Sequence, residues 1–172
     1  IYPLTDFLGT VPGYFEYDIS GWFLSFILIF FGIIFGDGGY GFIVLAAAAV
    51  LMIKSLRAKK KVPPAFLLIG LFGISTILWG TLTCTWFGIS PEHLPQWLRS
   101  LSIPVISNVY ADKIWYPFWT DGQAGLTTAQ NLQIFCFTLA LIQLAVAHIL
   151  CALRNRKSVK ILGDLGSILQ LV

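Results

Sequence analysis

Charge is what this sequence has least of. Asp, Glu, Lys and Arg make up 11% of its 172 residues, against roughly a quarter in an average globular protein. Apolar residues (AVILMFWYC) reach 57%, and mean hydropathy is +0.81. The length would suit one or two soluble domains, but a water-facing surface cannot be assembled from so few charges. The composition predicts a membrane protein. Cysteine is also scarce: Cys84, Cys136 and Cys151 include no CxxC pair and fall in apolar segments, where a free thiol behaves as a small hydrophobe. No disulfide framework or zinc site is suggested. The chain starts Ile1-Tyr2-Pro3, without an initiator Met or a basic leader, so no signal peptide is expected and the sequence reads as an excerpt of a longer one.

Catalytic sets are missing too. No Ser/His/Asp or Cys/His arrangement, carboxylate pair or metal-ligand spacing can be assembled. The expectation is a chain that is not an enzyme and holds no cofactor or metal. The net charge of +3 is concentrated: Lys54, Arg57, Lys59, Lys60 and Lys61 form one basic cluster, and Arg154, Arg156, Lys157 and Lys160 another, leaving only Arg99 and Lys113 elsewhere. A nucleic-acid binder would spread such residues over a polar face. Here each cluster follows an apolar run, the pattern of cytoplasmic loops under the positive-inside rule.

The apolar runs are long. "SGWFLSFILIFFGIIF" covers 20–35, and "FIVLAAAAVLMI" continues to Ile53. Pro63-Pro64 break the chain before "AFLLIGLFGISTILWGTLTCTWFGI" at 65–89, and a further run spans 132–153. Read as one helix, 20–53 would measure about 51 Å at ~1.5 Å per residue, too long for a hydrocarbon core of about 30 Å even when tilted. The chain must break, and FGDGGYG at 35–41 is where glycine permits it. The expected fold is all-α: a polytopic membrane helix bundle with four complete spans at about 20–35, 38–53, 65–89 and 132–153. An extracytoplasmic loop at about 90–130 and a truncated fifth span from about 161 complete it. Residues 1–18 and the basic clusters then lie in the cytoplasm, and FGDGGYG lies outside. Trp86, Trp97, Trp115, Tyr116 and Trp119 fit an outer aromatic belt.

Gly36-Asp37-Gly38-Gly39-Tyr40-Gly41 matches GxGxxG, but a dinucleotide fingerprint needs a short strand before it and an acid about twenty residues later. The preceding run is too long for a strand, and the basic cluster stands where the acid should be. Asp37 has two readings: a cap on the N-terminus of the second helix, or an ion relay, since intramembrane acids face water or a partner. His148, close before Arg154, either hydrogen-bonds a neighbouring helix or lies on an ion path. Gly70, Gly73 and Gly80, with Ser75, Thr76, Thr81 and Thr83, favour close helix packing.

With these residues in view, "FFGIIFGDGGYG" (30–41) resembles the FFG-x-x-x-GD-x-GYG signature of the membrane subunit of V-type and A-type rotary ATPases, called subunit I in prokaryotes and subunit a in eukaryotes. "PGYFEYD" (12–18) is similar to that family's P-x-Y-x-E-x-D lead-in, although Ile19 stands where proline is usual. "GISTILWGTLTCTWFG" (73–88) is similar to its third span, and His148 falls where its next span often carries a His. Tyr40, where eukaryotic members tend to have His, implies a bacterial or archaeal cell membrane. The resemblance implies Phe35, Gly36, Asp37, Gly38, Gly39, Tyr40 and Gly41 as a structural motif, with Asp37 and His148 as candidates for an ion path. It also implies a stator piece that scaffolds the H⁺ or Na⁺ half-channels beside the proteolipid ring, with peripheral-stalk and central-stalk subunits as partners and nucleotide chemistry on another subunit. The family's ring-facing arginine would lie beyond Val172, so this stretch alone should not move ions. Two other readings are a secondary transporter with a discontinuous-helix site at FGDGGYG, for which Leu162–Gly166 (LGDLG) is the only echo, and a structural membrane protein without transport.

Overall fold

The computed structural model describes residues 20–116, 125–154, 162–163, 166–167 and 169. The PGYFEYD segment, Trp119, most of the second basic cluster and most of the expected fifth span lie outside the described residues. The chain divides into two units, Ile1–Ala111 and Asp112–Val172. In the first, α1 covers Ser20–Phe35, α2 Gly38–Arg57, α3 Pro64–Thr83 and α4 Gln96–Ser100, with 3-10 turns at Pro91–His93 and Asn108–Tyr110. The second holds α5, Thr128–Arg154, preceded by an isolated antiparallel bridge between Trp115 and Leu126. No strand forms among the described residues. Helices α2, α3 and α5 are long and apolar enough to cross a bilayer, and α1 is a shorter apolar helix of 16 residues. The architecture is a polytopic helix bundle.

Local chemistry sets each boundary in the first unit. Gly36 adopts a left-handed φ of +59°, and its N–H returns to the Gly32 carbonyl at 2.8 Å, closing α1. Asp37 follows in an extended conformation and is already the N-cap of α2, so two residues separate the helices. α2 runs on to Arg57, with Lys54 and Arg57 in its last turn, where cations complement the negative end of the helix dipole. α3 opens on Pro64, at a helical position that needs no N–H donor. It ends at Thr83, short of Ile89, because Cys84 turns left-handed (φ 57°, ψ 47°). The N–H groups of Cys84 and Thr85 then fold back onto Thr81 O (3.3 Å) and Gly80 O (2.8 Å). The rest of this apolar run is a loop.

α3 is the helix the other two pack on. Against α2 it runs antiparallel, through paired small residues: Gly38 meets Gly80, Gly41 meets Gly73, Thr76 and Ile77, Leu45 meets Gly73, and Ala48 and Met52 meet Gly70. The backbones are close enough that a Cβ on Gly41 would lie 2.8 Å from the Ile77 nitrogen, and one on Gly73 2.8 Å from the Leu45 nitrogen. A Cβ on Gly80 would run into the backbone of Gly38. Lipid gives helices no hydrophobic reason to associate, so van der Waals contact between such small-residue faces carries the packing. α1 crosses the same helix in the same sense as α3: Phe31 stacks on Phe72 at 4.2 Å and 12°, and the Ser75 hydroxyl, seated against Gly32, donates to the Leu28 carbonyl. Further along, the end of the α1–α2 connector reaches Gly80. The chain therefore reverses at the connector, and α1 and α2 form a hairpin built around α3.

Gly80→Ala should cost at least about 2 kcal/mol, the scale of overpacking in a close-packed interface, because its methyl would meet immovable backbone. Gly70→Ala should be neutral or slightly stabilising, since its Cβ would find ordinary contacts at 3.6 and 3.7 Å. Detergent-denaturation curves of the two variants check the contrast.

Candidate functional site: the clasped helix hairpin

The residues after α3 lie against the α1–α2 connector, and one carboxylate joins them. Asp37, 8% exposed, accepts through Oδ1 from the backbone N–H groups of Gly39 (2.8 Å), Tyr40 (3.4 Å) and Phe87 (2.9 Å), and through Oδ2 from Gly88 (3.2 Å). The first two bonds cap α2; the other two reach across to the loop after α3. Phe87 (φ 51°) and Gly88 (φ 67°) both have positive φ, and their successive N–H groups converge on the Asp37 carboxylate. A bond also runs the other way, from Gly38 N–H to the Thr85 carbonyl at 2.9 Å.

The glycines make room for this clasp. A Cβ on Gly38 would lie 2.7 Å from the Trp86 indole, and one on Gly39 2.5 Å from the Phe87 ring. Tyr40 meets Phe87 edge-on at 5.8 Å and is otherwise exposed, as is Phe35, which stacks on Phe31 at 4.3 Å. Of the residues singled out by sequence, Gly36, Asp37, Gly38, Gly39 and Gly41 thus gather at the clasp, with Tyr40 at its rim. His148 is half-buried on α5, in the second unit, and is not one of the clasp residues. Among the described residues no group of His, Cys, Asp and Glu could hold a metal ion.

A second layer seals the end of α3. Its last carbonyls, which a helix leaves without partners, are each taken up. Gly80 O and Thr81 O receive the turn described above, Leu82 O accepts from Ile103 N–H at 2.9 Å, and Thr83 O accepts from the Ser107 hydroxyl at 3.3 Å. Asn108 Nδ2 donates to Thr85 Oγ1 at 2.8 Å, and that hydroxyl lies 3.2 Å from Thr83 Oγ1. Ser107 is fully buried. Sequence reasoning missed Thr85, Phe87, Gly88, Ser107 and Asn108. Residues 84–89 are as apolar as the helix before them, and only the Phe87-Gly88 pair carried a turn signal. The contribution of Ser107 and Asn108 depends on tertiary placement.

Chemically the site is an acceptor whose lone pairs are spent on backbone donors. It ties two ends of the polypeptide together. Fold and clasp together define a polytopic helical membrane protein whose first unit carries a hairpin turn bonded to the loop after α3. Over 171 residues the chain is 37% identical to V-type ATP synthase subunit I 1 of Treponema pallidum (strain Nichols), a match covering 99% of this chain and 25% of that protein. It is 33% identical over 147 residues to V-type ATP synthase subunit I of Borreliella burgdorferi, covering 86% of this chain and 22% of that protein. A relative of the same name from Chlamydia pneumoniae is 29% identical over 82 residues, 46% of this chain and 12% of its own length. These homologues support reading the chain as a partial stretch of V-type ATP synthase subunit I, and it spans about a quarter of the length of the relatives it matches most fully. No family model and no solved structure matches it.

Asp37→Ala should destabilise the protein by about 3 kcal/mol or more, combining a lost helix cap at ~1 kcal/mol with two tertiary N–H donors left unsatisfied at ~1–3 kcal/mol each. Asp37→Asn keeps an acceptor for three of the four donors but sets an amide N–H against that of Gly88. Its loss should be smaller, about 1–2 kcal/mol. Unfolding of the parent subunit in mild detergent orders the three proteins.

Proposed function

We propose that this stretch is the scaffold part of the stator membrane subunit of a V/A-type rotary ATPase, holding the H⁺ or Na⁺ half-channels in place beside the proteolipid ring. The observation that carries the reading is the saturation of Asp37 by backbone donors. A relay carboxylate needs access to water and a partner that exchanges protons or ions with it; this one is committed to holding a turn. The names of the relatives support the rotary-ATPase context. The chain is then a non-catalytic subunit, with nucleotide chemistry elsewhere in the complex and ring, peripheral-stalk and central-stalk subunits as its partners. Helices α1, α2, α3 and α5 are the spans. The exposed basic turn between α2 and α3 supports a cytoplasmic position for that end in a prokaryotic cell, with the clasp and the loop after α3 proposed on the outer face. His148, on a spanning helix, remains the candidate for an ion-path contact in this stretch.

Gly39→Leu and Asp37→Asn in the parent complex provide the test. Both should lower the amount of assembled membrane sector, Gly39→Leu nearly to zero because its side chain would displace Phe87. Whatever Asp37→Asn complex does assemble should pump at the wild-type ratio of ions to ATP. An Asp37→Asn complex that assembles fully and hydrolyses ATP but cannot pump would put Asp37 on the ion path and contradict the scaffold reading.

A further inference from the structure

The α2–α3 turn carries the densest charge in the described part of the molecule. Lys54 and Arg57 lie in the last turn of α2. Lys59, Lys60 and Lys61 follow at once, and all of these side chains are exposed. The turn has a defined shape: Ala58 N–H bonds Lys54 O and Lys59 N–H bonds Leu56 O, both at 3.0 Å, and Lys60 N–H bonds Ser55 O at 3.1 Å, with Lys59 left-handed at φ 52°. α3 starts at Pro64, so the cations are held within a few residues of two helices that are both apolar enough to span a bilayer. None of these side chains is ion-paired among the described residues. The described acids of this unit, Asp37 and Glu92, are at the other end of the α2–α3 pair.

The same turn of α2 is not uniformly polar. Ile53 and Leu56 are exposed beside Lys54 and Arg57, spaced so that apolar and cationic side chains form adjacent stripes on one helix end. An acidic protein face would complement the cations but leave the apolar stripe in water. A phospholipid matches both, with its anionic headgroup at the cations and its acyl chain along Ile53 and Leu56.

We infer that the α2–α3 turn, Lys54 to Lys61 with Ile53 and Leu56, is a binding surface for anionic phospholipid headgroups in the leaflet on that side. It binds through charge and not through a particular headgroup shape, because Lys acts on phosphate as a point charge and the cations sit on a turn, not in a pocket. Clusters of this size next to spanning helices gain roughly tenfold or less in affinity per cation at an anionic surface, and the gain fades with ionic strength.

The test uses the parent subunit in nanodiscs of equal phosphatidylglycerol and phosphatidylcholine, extracted gently and analysed by native mass spectrometry for the lipids it keeps. The wild-type protein should keep phosphatidylglycerol about tenfold over phosphatidylcholine at about 0.1 M salt and lose that preference near 1 M. K59Q/K60Q/K61Q should cut phosphatidylglycerol retention about tenfold, and K59R/K60R/K61R should leave it unchanged. Equal retention of the two lipids by the wild type overturns the inference without any variant, so a glutamine variant that fails to insert does not shield it. Unchanged retention in the glutamine variant overturns it as well, and if a co-purifying subunit is lost from that variant, the turn's occupant is an acidic protein face instead.

Discussion

One carboxylate holding four backbone N–H groups is the constraint on which the first unit depends. A helix hairpin with a two-residue connector has little to fix the angle between its arms. Asp37 fixes it by using one oxygen as the cap of α2 and sharing it with the loop beyond α3, so that the start of one helix and the end of another become a single hydrogen-bonded body. Every close approach in the hairpin follows from that register. Gly38 must pass Gly80 and Trp86, Gly39 must lie under Phe87, and Gly41 must lie against Gly73 and Ile77. A shift of one helical turn would bring side chains into each of these contacts.

The bilayer explains why so much bonding is spent at one helix end. Water is scarce near the hydrocarbon core, and an unpaired carbonyl or amide there costs several kcal/mol. The last carbonyls of α3 are all satisfied from within the protein, two by the left-handed turn at Cys84 and two by Ile103 and Ser107. The hydroxyls of Thr76, Thr81 and Thr83 are likewise spent on carbonyls one turn back in their own helix. Part of the long polar loop thus acts as a lid on α3, a role its composition does not reveal. A discontinuous-helix binding site works the opposite way, offering free backbone groups to a ligand.

Much of this was legible in the sequence, for physical reasons. Length against bilayer thickness required a break in 20–53, and glycine located it at Gly36–Gly41. The small residues of the third run announced close packing, and both readings of Asp37 began from the high cost of a carboxylate in that setting. What could not be read was the partner of the motif. Residues 84–89 have the composition of a spanning helix, so hydropathy extended α3 to Ile89. The structure ends it at Thr83, where Cys84 turns left-handed, and the residues beyond carry the N–H groups that bond Asp37. Nothing local marks Thr85, Ser107 or Asn108, whose contributions arise from contacts distant in sequence. The basic cluster was legible as a topology signal, whereas its alternation with Ile53 and Leu56 has meaning only once α2 is seen to continue through Arg57.

The central claim is that Asp37 joins the hairpin turn to the loop after α3 and does not merely cap its own helix. Hydrogen–deuterium exchange at single-amide resolution, on the parent subunit in nanodiscs, tests it most directly. The claim predicts that the amides of Gly39, Phe87 and Gly88 exchange as slowly as those in the middle of α3 and speed up together in Asp37→Asn. A protected Gly39 with Phe87 and Gly88 exchanging at loop rates would contradict it, reducing Asp37 to a local cap and leaving the hairpin held by glycine packing alone.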